Sequence, residues 1–303
     1  MVALTDALER IMNWLRENQA DYANSFATGL KYDEIFSYEE ELGFKLPGEI
    51  YELYQWRNGT EEDAKALCFP TMQFLPMNRA IEYSQGCNEY IESGKESVKE
   101  LSEWYDTSPL FAFIEDNGNF CGIPLINHQK EKSPVVVLGE GEMPYIFYTS
   151  LTDMMFTLAE CYETGAYYLK YEGYVCSDEY QEAQVLRKYN ADISERALLA
   201  FQSLLVQPLD FSDKKLLEQV AELAIVIGRF KDPRGVDLLL SSSQKWSKQK
   251  GLYRDGVYFW VVKALGEMFD VRVLKALDNA LKDNSPFVRE EAEKALSKIK
   301  EYL

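Results

Sequence analysis

Residues 45–59 read KLPGEIYELYQWRNG, and the reading of the first half of the chain turns on this stretch. Pro47 suits the first position of a helix, where its missing N–H costs nothing, and Glu49 sets negative charge beside the positive end of the helix dipole. Asn58-Gly59 supplies a left-handed stop. At about 100° per residue, Ile50, Leu53 and Tyr54 share one arc, with Tyr51 at its margin. Trp56 projects on the other side, between Glu49 and Glu52. Two alternatives follow for its indole: a second element covers it, or it lines a groove.

Upstream, Leu4, Leu8, Ile11 and Leu15 recur at helical spacing, and Asp6 and Glu9 interrupt what would otherwise resemble a secretory leader. Downstream, LCFPTMQFLPMNRAIEYSQ passes from a short strand-like run through Pro76 into a helix. SPLFAFIEDNGNFCGIPL is the clearest hairpin. Phe111 and Phe113 alternate with Ala112, Asn117-Gly118 is the turn dipeptide, and Cys121, Ile123 and Leu125 alternate on the return. PVVVLGEGEMPYIFYTS reads as two more strands around Gly139-Glu140-Gly141. Ser150 then caps a helix, with Asp153 three residues on. Helices and mainly antiparallel strands in this order predict an α+β domain, an antiparallel sheet flanked by helices. The tyrosine-rich run at 161–180 reads as a lid or as the seam to a second domain, since Tyr packs its ring while keeping its hydroxyl wet.

From Ser177 onward strand signals cease. Gly228, Asp232 and Arg234 recur as Gly266, Asp270 and Arg272, an offset of 38 residues, which is the size of a two-helix repeat. The last helix has Ser285 as its expected N-cap, Pro286 at its first position and a stripe of Val288, Ala292, Ala295, Leu296 and Ile299. A length of 303 residues fits two domains, divided as 1–176 and 177–303. The second is expected to be an all-α helical repeat, an architecture that binds or spaces things more often than it catalyses.

Charge separates the halves. Residues 1–194 hold 14 Lys/Arg against 34 Asp/Glu, and residues 195–303 hold 18 against 16. The anionic front half repels a phosphate backbone and attracts a basic protein, so the expected partner is a protein, with direct nucleic-acid binding disfavoured. Simple solubility is the plainer account of the same charge. No run is long and uncharged enough to span a bilayer, the apolar helix around AELAIVIGRF being too short, so no membrane association is expected and the location is read as cytoplasmic. Five cysteines (68, 87, 121, 161, 176) without a Cys-x-x-Cys pair argue for reduced, buried thiols rather than zinc or a disulfide framework.

The chain offers little chemistry. Its single histidine, His128, lies in a polar loop, where a solvated side chain is the default. Phosphate-binding and nucleophile-elbow motifs are lacking. The acidic runs Glu39-Glu40-Glu41 and Glu61-Glu62-Asp63 leave paired-acid hydrolysis open but usually mark a solvated face. GluAspAsnGlyAsn at 115–119 lacks the length and closing glutamate of a calcium loop. The expectation is a non-enzyme without cofactor or metal. Its candidate contact residues are Trp56, Asn58 and Gly59 at the helix end and Asp116 and Asn119 at the hairpin, each of which turn chemistry alone would also explain.

ELGFKLPGEIYELYQWRNG (41–59), with Gly43, Leu46, Pro47, Tyr51, Tyr54, Asn58 and Gly59, resembles the Gly-x-x-Leu-Pro helix of the SUKH superfamily. FLPM (74–77), the hairpin and TSLTDMMFTLAECY extend the resemblance over about residues 25–165. DNSPFVREEAEKAL, through Asp283, Pro286, Val288, Arg289, Ala292, Ala295 and Leu296, resembles a HEAT-like repeat. The resemblances imply a non-catalytic binding domain on a helical scaffold. In bacteria such domains commonly neutralise a protein toxin, and the acidic surface would suit a basic one such as a nuclease. The alternative is a regulatory scaffold, with the helical part holding one partner and the acidic part another.

Overall fold

The computed structural model describes residues 3–60, 73–93, 109–116, 118–125, 133–138, 145–170 and 175–302. Asn117, His128, Cys68, Gly139-Glu140-Gly141, Glu61-Glu62-Asp63, Tyr171 and Tyr174 lie outside the described residues, as do the side chains of Cys87 and Asp116. The chain divides into two units, residues 1–190 and 191–303.

The first unit opens with α1 (Ala3–Asn18), α2 (Ala20–Asn24) and β1 (Phe26–Thr28), then α3 (Tyr32–Leu42), α4 (Gly48–Trp56), β2 (Arg57–Thr60), β3 (Gln73–Phe74) and α5 (Met77–Ser93). It continues with β4 (Leu110–Asp116), β5 (Asn119–Pro124), β6 (Val135–Leu138), β7 (Tyr145–Tyr148), α6 (Leu151–Thr164), β8 (Tyr167–Leu169), β9 (Val175–Ser177) and α7 (Glu179–Tyr189). Strands β3 to β7 form one antiparallel sheet in sequence order, and β1–β2 and β8–β9 form two-stranded ladders. The predicted α+β class, an antiparallel sheet flanked by helices, is therefore the class observed.

The hairpin closes as its dipeptide required: Asp116 pairs with Asn119, and Gly118 takes φ +87. The expected alternation of β4 is not visible in its burial. Leu110 through Ile114 are all 0% exposed, because α5 covers one face of the strand and the rest of the core the other. Between Ala112 and Ile114 the ladder shifts register, and the Ala112 N–H donates to Ser84 Oγ of α5 at 2.9 Å, so the irregularity does not strand that buried donor. On α1 the stripe Leu4, Leu8, Ile11 and Leu15 is buried as its spacing predicts. Ser150 caps α6, accepting from the Asp153 N–H at 3.0 Å and donating to Asp153 Oδ2 at 2.6 Å. In the tyrosine-rich run, Tyr162 and Tyr167 are core residues with rings 5.2 Å apart, and the Tyr167 hydroxyl donates to Glu182. Tyr168 and Tyr180 are exposed. Helix α7 packs on α6, which carries the first unit past Ser177 to Asn190.

The second unit is all helical: α8 (Ala191–Val206), α9 (Lys214–Phe230), α10 (Pro233–Trp246), α11 (Arg254–Glu267), a 3-10 turn (Val271–Val273) leading into α12 (Leu274–Ala280), and α13 (Pro286–Tyr302). Helices α9, α11 and α13 pack side by side, α8, α10 and α12 do likewise, and each of the second set packs on its successor in the first, giving two layers. The 38-residue offset read from Gly228/Gly266 and Asp232/Asp270 is structural. Asp232 and Asp270 cap their helices by accepting from the N–H of Arg234 and of Arg272. Each arginine grips its own aspartate and reaches back to an earlier acid, Glu195 at 2.5 Å and Asp237 at 3.1 Å. The two glycines sit at helix crossings: a Cβ on Gly228 would lie 3.2 Å from Glu267 Cβ, and one on Gly266 only 2.5 Å from Ala295 Cβ. The structure adds a match no motif shows. Lys231 (φ 48) and Phe269 (φ 49) are both left-handed although neither is glycine. The stripe of α13 is buried throughout. Ser285 departs from expectation, since its buried hydroxyl has no hydrogen-bond partner. The Asp283 carboxylate, itself held by Arg254, takes the Ser285 N–H instead.

On α9, burial lifts the Glu222 carboxyl to about 7. The folded state therefore holds this proton more tightly than the unfolded chain. The stabilisation is complete below the ordinary carboxyl pKa and is lost as pH rises through 7. Glu222→Gln is expected to raise unfolding free energy by about 2 kcal/mol at pH 8 and to leave it unchanged near pH 4, measured by urea titration at both pH values.

Candidate docking face of the first unit

Helix α4 organises this region because its polar side chains face inward as well as its apolar ones. Ile50, Leu53 and Tyr54 are 0% exposed, and the Tyr54 hydroxyl donates to the Leu75 carbonyl at 3.0 Å. Full burial raises the Tyr54 phenol well above its usual range. On the opposite side, Glu52 accepts from both the N–H and the hydroxyl of Thr5 at 2.7 Å, capping the start of α1. Glu49 is buried and accepts from the Thr152 N–H at 2.9 Å, the Thr152 hydroxyl at 2.5 Å and the Ser133 N–H at 3.4 Å. It thus serves the N-terminus of α6 as well as its own helix, where donors are otherwise unsatisfied. Nothing in the local sequence signals these two distant caps.

The indole of Trp56 is covered rather than open to a groove. It is 8% exposed, its N–H donates to Glu9 Oε1 of α1 at 2.8 Å, and its ring meets Phe26 edge-on at 5.6 Å. The Arg57 guanidinium lies 5.5 Å from its centroid, a cation–π contact. Asn58 Oδ1 accepts from the Met77 N–H at 2.8 Å, tying the end of α4 to the start of α5. Gly59 takes φ +76 against the backbone of Leu75 and Pro76. These three residues are brought together, and their side chains and backbone are engaged within the unit. Asp116 and Asn119 pair at the tip of the β4–β5 hairpin, Asn119 being partly exposed.

The exposed chemistry lies one helix earlier. On α3 Ile35 is buried, while Tyr32 (58%) and Phe36 (43%) are exposed with Asp33 and Glu40 on their side of the helix; Glu34 and Glu41 are exposed on the other side, Glu34 accepting the Lys31 N–H at 2.6 Å. Spacing of i, i+4 aligns Tyr32, Phe36 and Glu40 on one side. The helix contains no Lys or Arg. Its Tyr32 ring lies 4.9 Å from that of Tyr51 on α4. Glu39, at the margin, accepts from the Tyr51 hydroxyl at 3.0 Å and the Leu46 N–H at 2.8 Å, so the two helices are pinned together. Desolvation first, and then the Glu39 carboxylate, raise the Tyr51 phenol. The result is a rigid acidic face bearing two aromatic rings. Read from sequence, Glu39-Glu40-Glu41 is a solvated run; the signal for more was two aromatics at helical spacing on the acidic side, where a solvated face has no use for them.

Among the described residues no group of three or more His, Cys, Asp or Glu side chains is placed to hold a metal ion, and no helix is long and apolar enough to cross a membrane. Cys121 and Cys161 are buried cysteines outside any disulfide among the described residues, with burial pushing the Cys121 thiol up to about 12, far from a reactive thiolate. No curated protein matches the chain. Residues 29–157, which run from the approach to α3 through the first half of α6, match the family model described as SMI1 / KNR4 family (SUKH-1), and this part of the first unit is similar to that family.

Proposed function

We propose that the protein is a non-catalytic, cytoplasmic binding module of the immunity type, which neutralises a basic protein toxin by covering its active surface. The observation that carries this reading is the α3 face, where the exposed carboxylates of Asp33 and Glu40 flank Tyr32 and Phe36 on a helix without a basic residue. Rings of this kind supply contact area, while the carboxylates speed and orient encounter with a cationic protein. The match of residues 29–157 to the SUKH-1 family supports a binding role over an enzymatic one. In this proposal the hairpin tip at Asp116 and Asn119 adds polar contacts, and Trp56, Asn58 and Gly59 act from within by holding the frame of the face. The helical unit, with its Asp–Arg ladder and 38-residue period, is HEAT-like and serves as a scaffold.

The test is co-purification with the basic protein encoded beside this gene, followed by calorimetric titration. Glu40→Lys/Glu41→Lys, near the C-terminal end of α3 where cations suit the dipole, is expected to keep the fold and weaken binding by about tenfold or more. Unchanged affinity, or an adjacent protein that does not bind, would sink the proposal. The second reading, a regulatory scaffold, is favoured by the opposite charge balance of the two halves, and it requires a separate partner on the helical unit.

A further inference from the structure

The three most exposed apolar side chains of the described residues are Val206 (79%), Leu252 (78%) and Phe287 (71%). They are not scattered. Val206 ends α8, Leu252 lies between α10 and α11, and Phe287 is in the first turn of α13. Each therefore marks a turn that passes from one helical layer to the other, and in a two-layer stack these turns share one edge.

Hydrogen bonds join the turns into one surface. Lys245 Nζ donates to the Leu205 carbonyl at 2.7 Å, and the Tyr253 N–H to the Phe211 carbonyl at 2.9 Å. Arg254 grips Asp283 at 2.6 and 2.7 Å and also donates to the Ser247 carbonyl. The acids of the edge are already engaged: Asp210 and Asp213 accept backbone N–H groups, Asp255 and Asp283 bind Arg254, and Glu290 binds Lys294. Lys248, Lys250 and Lys282 are exposed and carry no ion pair among the described residues. The edge is thus apolar and preformed, and it carries three exposed lysines without an ion pair among the described residues.

We infer that this edge is a docking surface for a second copy of the chain, and that its occupant is the α3 face of that copy. The two surfaces are complementary in both respects: three apolar side chains with three lysines meet Tyr32 and Phe36 with Asp33 and Glu40, and Glu41 at the rim. Since the patches differ, the contact is head-to-tail rather than two-fold symmetric. Net repulsion between acidic chains opposes it, but at physiological salt charges farther apart than about 8 Å are largely screened, so the local match decides. The acidic half of the inference rests on the face assigned under the proposed function, and binding there of a basic partner would compete with self-association.

Sedimentation velocity tests this with four samples. The wild type is expected to associate with rising concentration, more weakly at high salt. Lys248→Glu/Lys250→Glu alone and Glu40→Lys/Glu41→Lys alone are each expected to stay monomeric, with association weakened about tenfold or more. Mixing the two variants restores the contact between the acidic face of the first and the lysine edge of the second, and is expected to bring back association that neither shows alone. A wild type monomeric at every concentration, an edge variant that associates like the wild type, or a mixture that stays monomeric would each overturn the inference. Binding of the monomeric chain through this edge to anionic vesicles would do so as well. Because these lysines lie outside the α3 face, the edge variant should still bind the basic partner, which separates failure here from failure of the proposed function.

Discussion

Gly59→Ala is expected to cost about 4 kcal/mol of unfolding free energy and to abolish the native fold of the first unit at moderate temperature. The position combines two costs that usually occur apart. Its φ of +76 disfavours any side chain, and a Cβ built there would lie 2.3 Å from the Pro76 nitrogen and 2.6 Å from the Leu75 carbonyl carbon. Those neighbours are backbone, held by the Tyr54 hydroxyl bond to Leu75 and by Asn58 to Met77, so they cannot yield as a flexible side chain would. Urea unfolding followed by tryptophan fluorescence would measure the loss. A Gly59→Ala chain as stable as wild type would mean that the α4–β2 junction has slack the geometry does not show. The same experiment decides what Gly59 is for, since a partner-contact role predicts weaker binding at unchanged stability.

The second large effect is expected at Glu49. Glu49→Ala removes the acceptor of three hydrogen bonds and leaves the Thr152 and Ser133 N–H groups buried without a partner. A loss of about 3 kcal/mol follows, because each stranded donor carries its full desolvation cost. Glu49→Gln keeps one carbonyl acceptor and is expected to recover roughly half of that loss. Hydrogen exchange gives the sharper readout. The first-turn amides of α6 should lose protection in Glu49→Ala before those of the central sheet. Equal loss across the sheet would show that Glu49 acts on the whole unit rather than as a cap for α6.

Much of the chain was legible because local rules and global fold agree. The buried arc of α4, the Gly118 turn, the Ser150 cap, the stripes of α1 and α13 and the repeated Asp–Arg pairs all follow from backbone preference or apolar period, which act within a few residues. The helical repeat was legible for the same reason, each unit repeating its own local chemistry. The expected bounds of α4 do not hold, since Pro47 is its N-cap and it ends at the extended Arg57, before Asn58-Gly59. The alternation expected of β4 was not observed, since a strand covered on both faces has no polar side to show. The Ser285 hydroxyl, expected as a cap, makes no hydrogen bond among the described residues, while its N–H is taken by Asp283, which Arg254 holds from another helix.

The candidate site divides along the same line. Sequence alone determined that the first half is an acidic α+β unit, that the second is a stack of helices, and that α4 carries an aromatic core face. Tertiary structure alone decided which polar groups are spent inside. Trp56 and Glu49 face away from the apolar arc of their helix, which by periodicity is the solvent side; α1 and the start of α6 pack there and turn both into internal ligands. Tyr32 and Phe36 have the opposite history, being aromatic residues that stay exposed among the described residues although Tyr32 meets the Tyr51 ring of α4. Exposure is a property of what packs against a surface, and those packing partners lie tens of residues away along the chain, beyond the reach of any pattern in the segment itself.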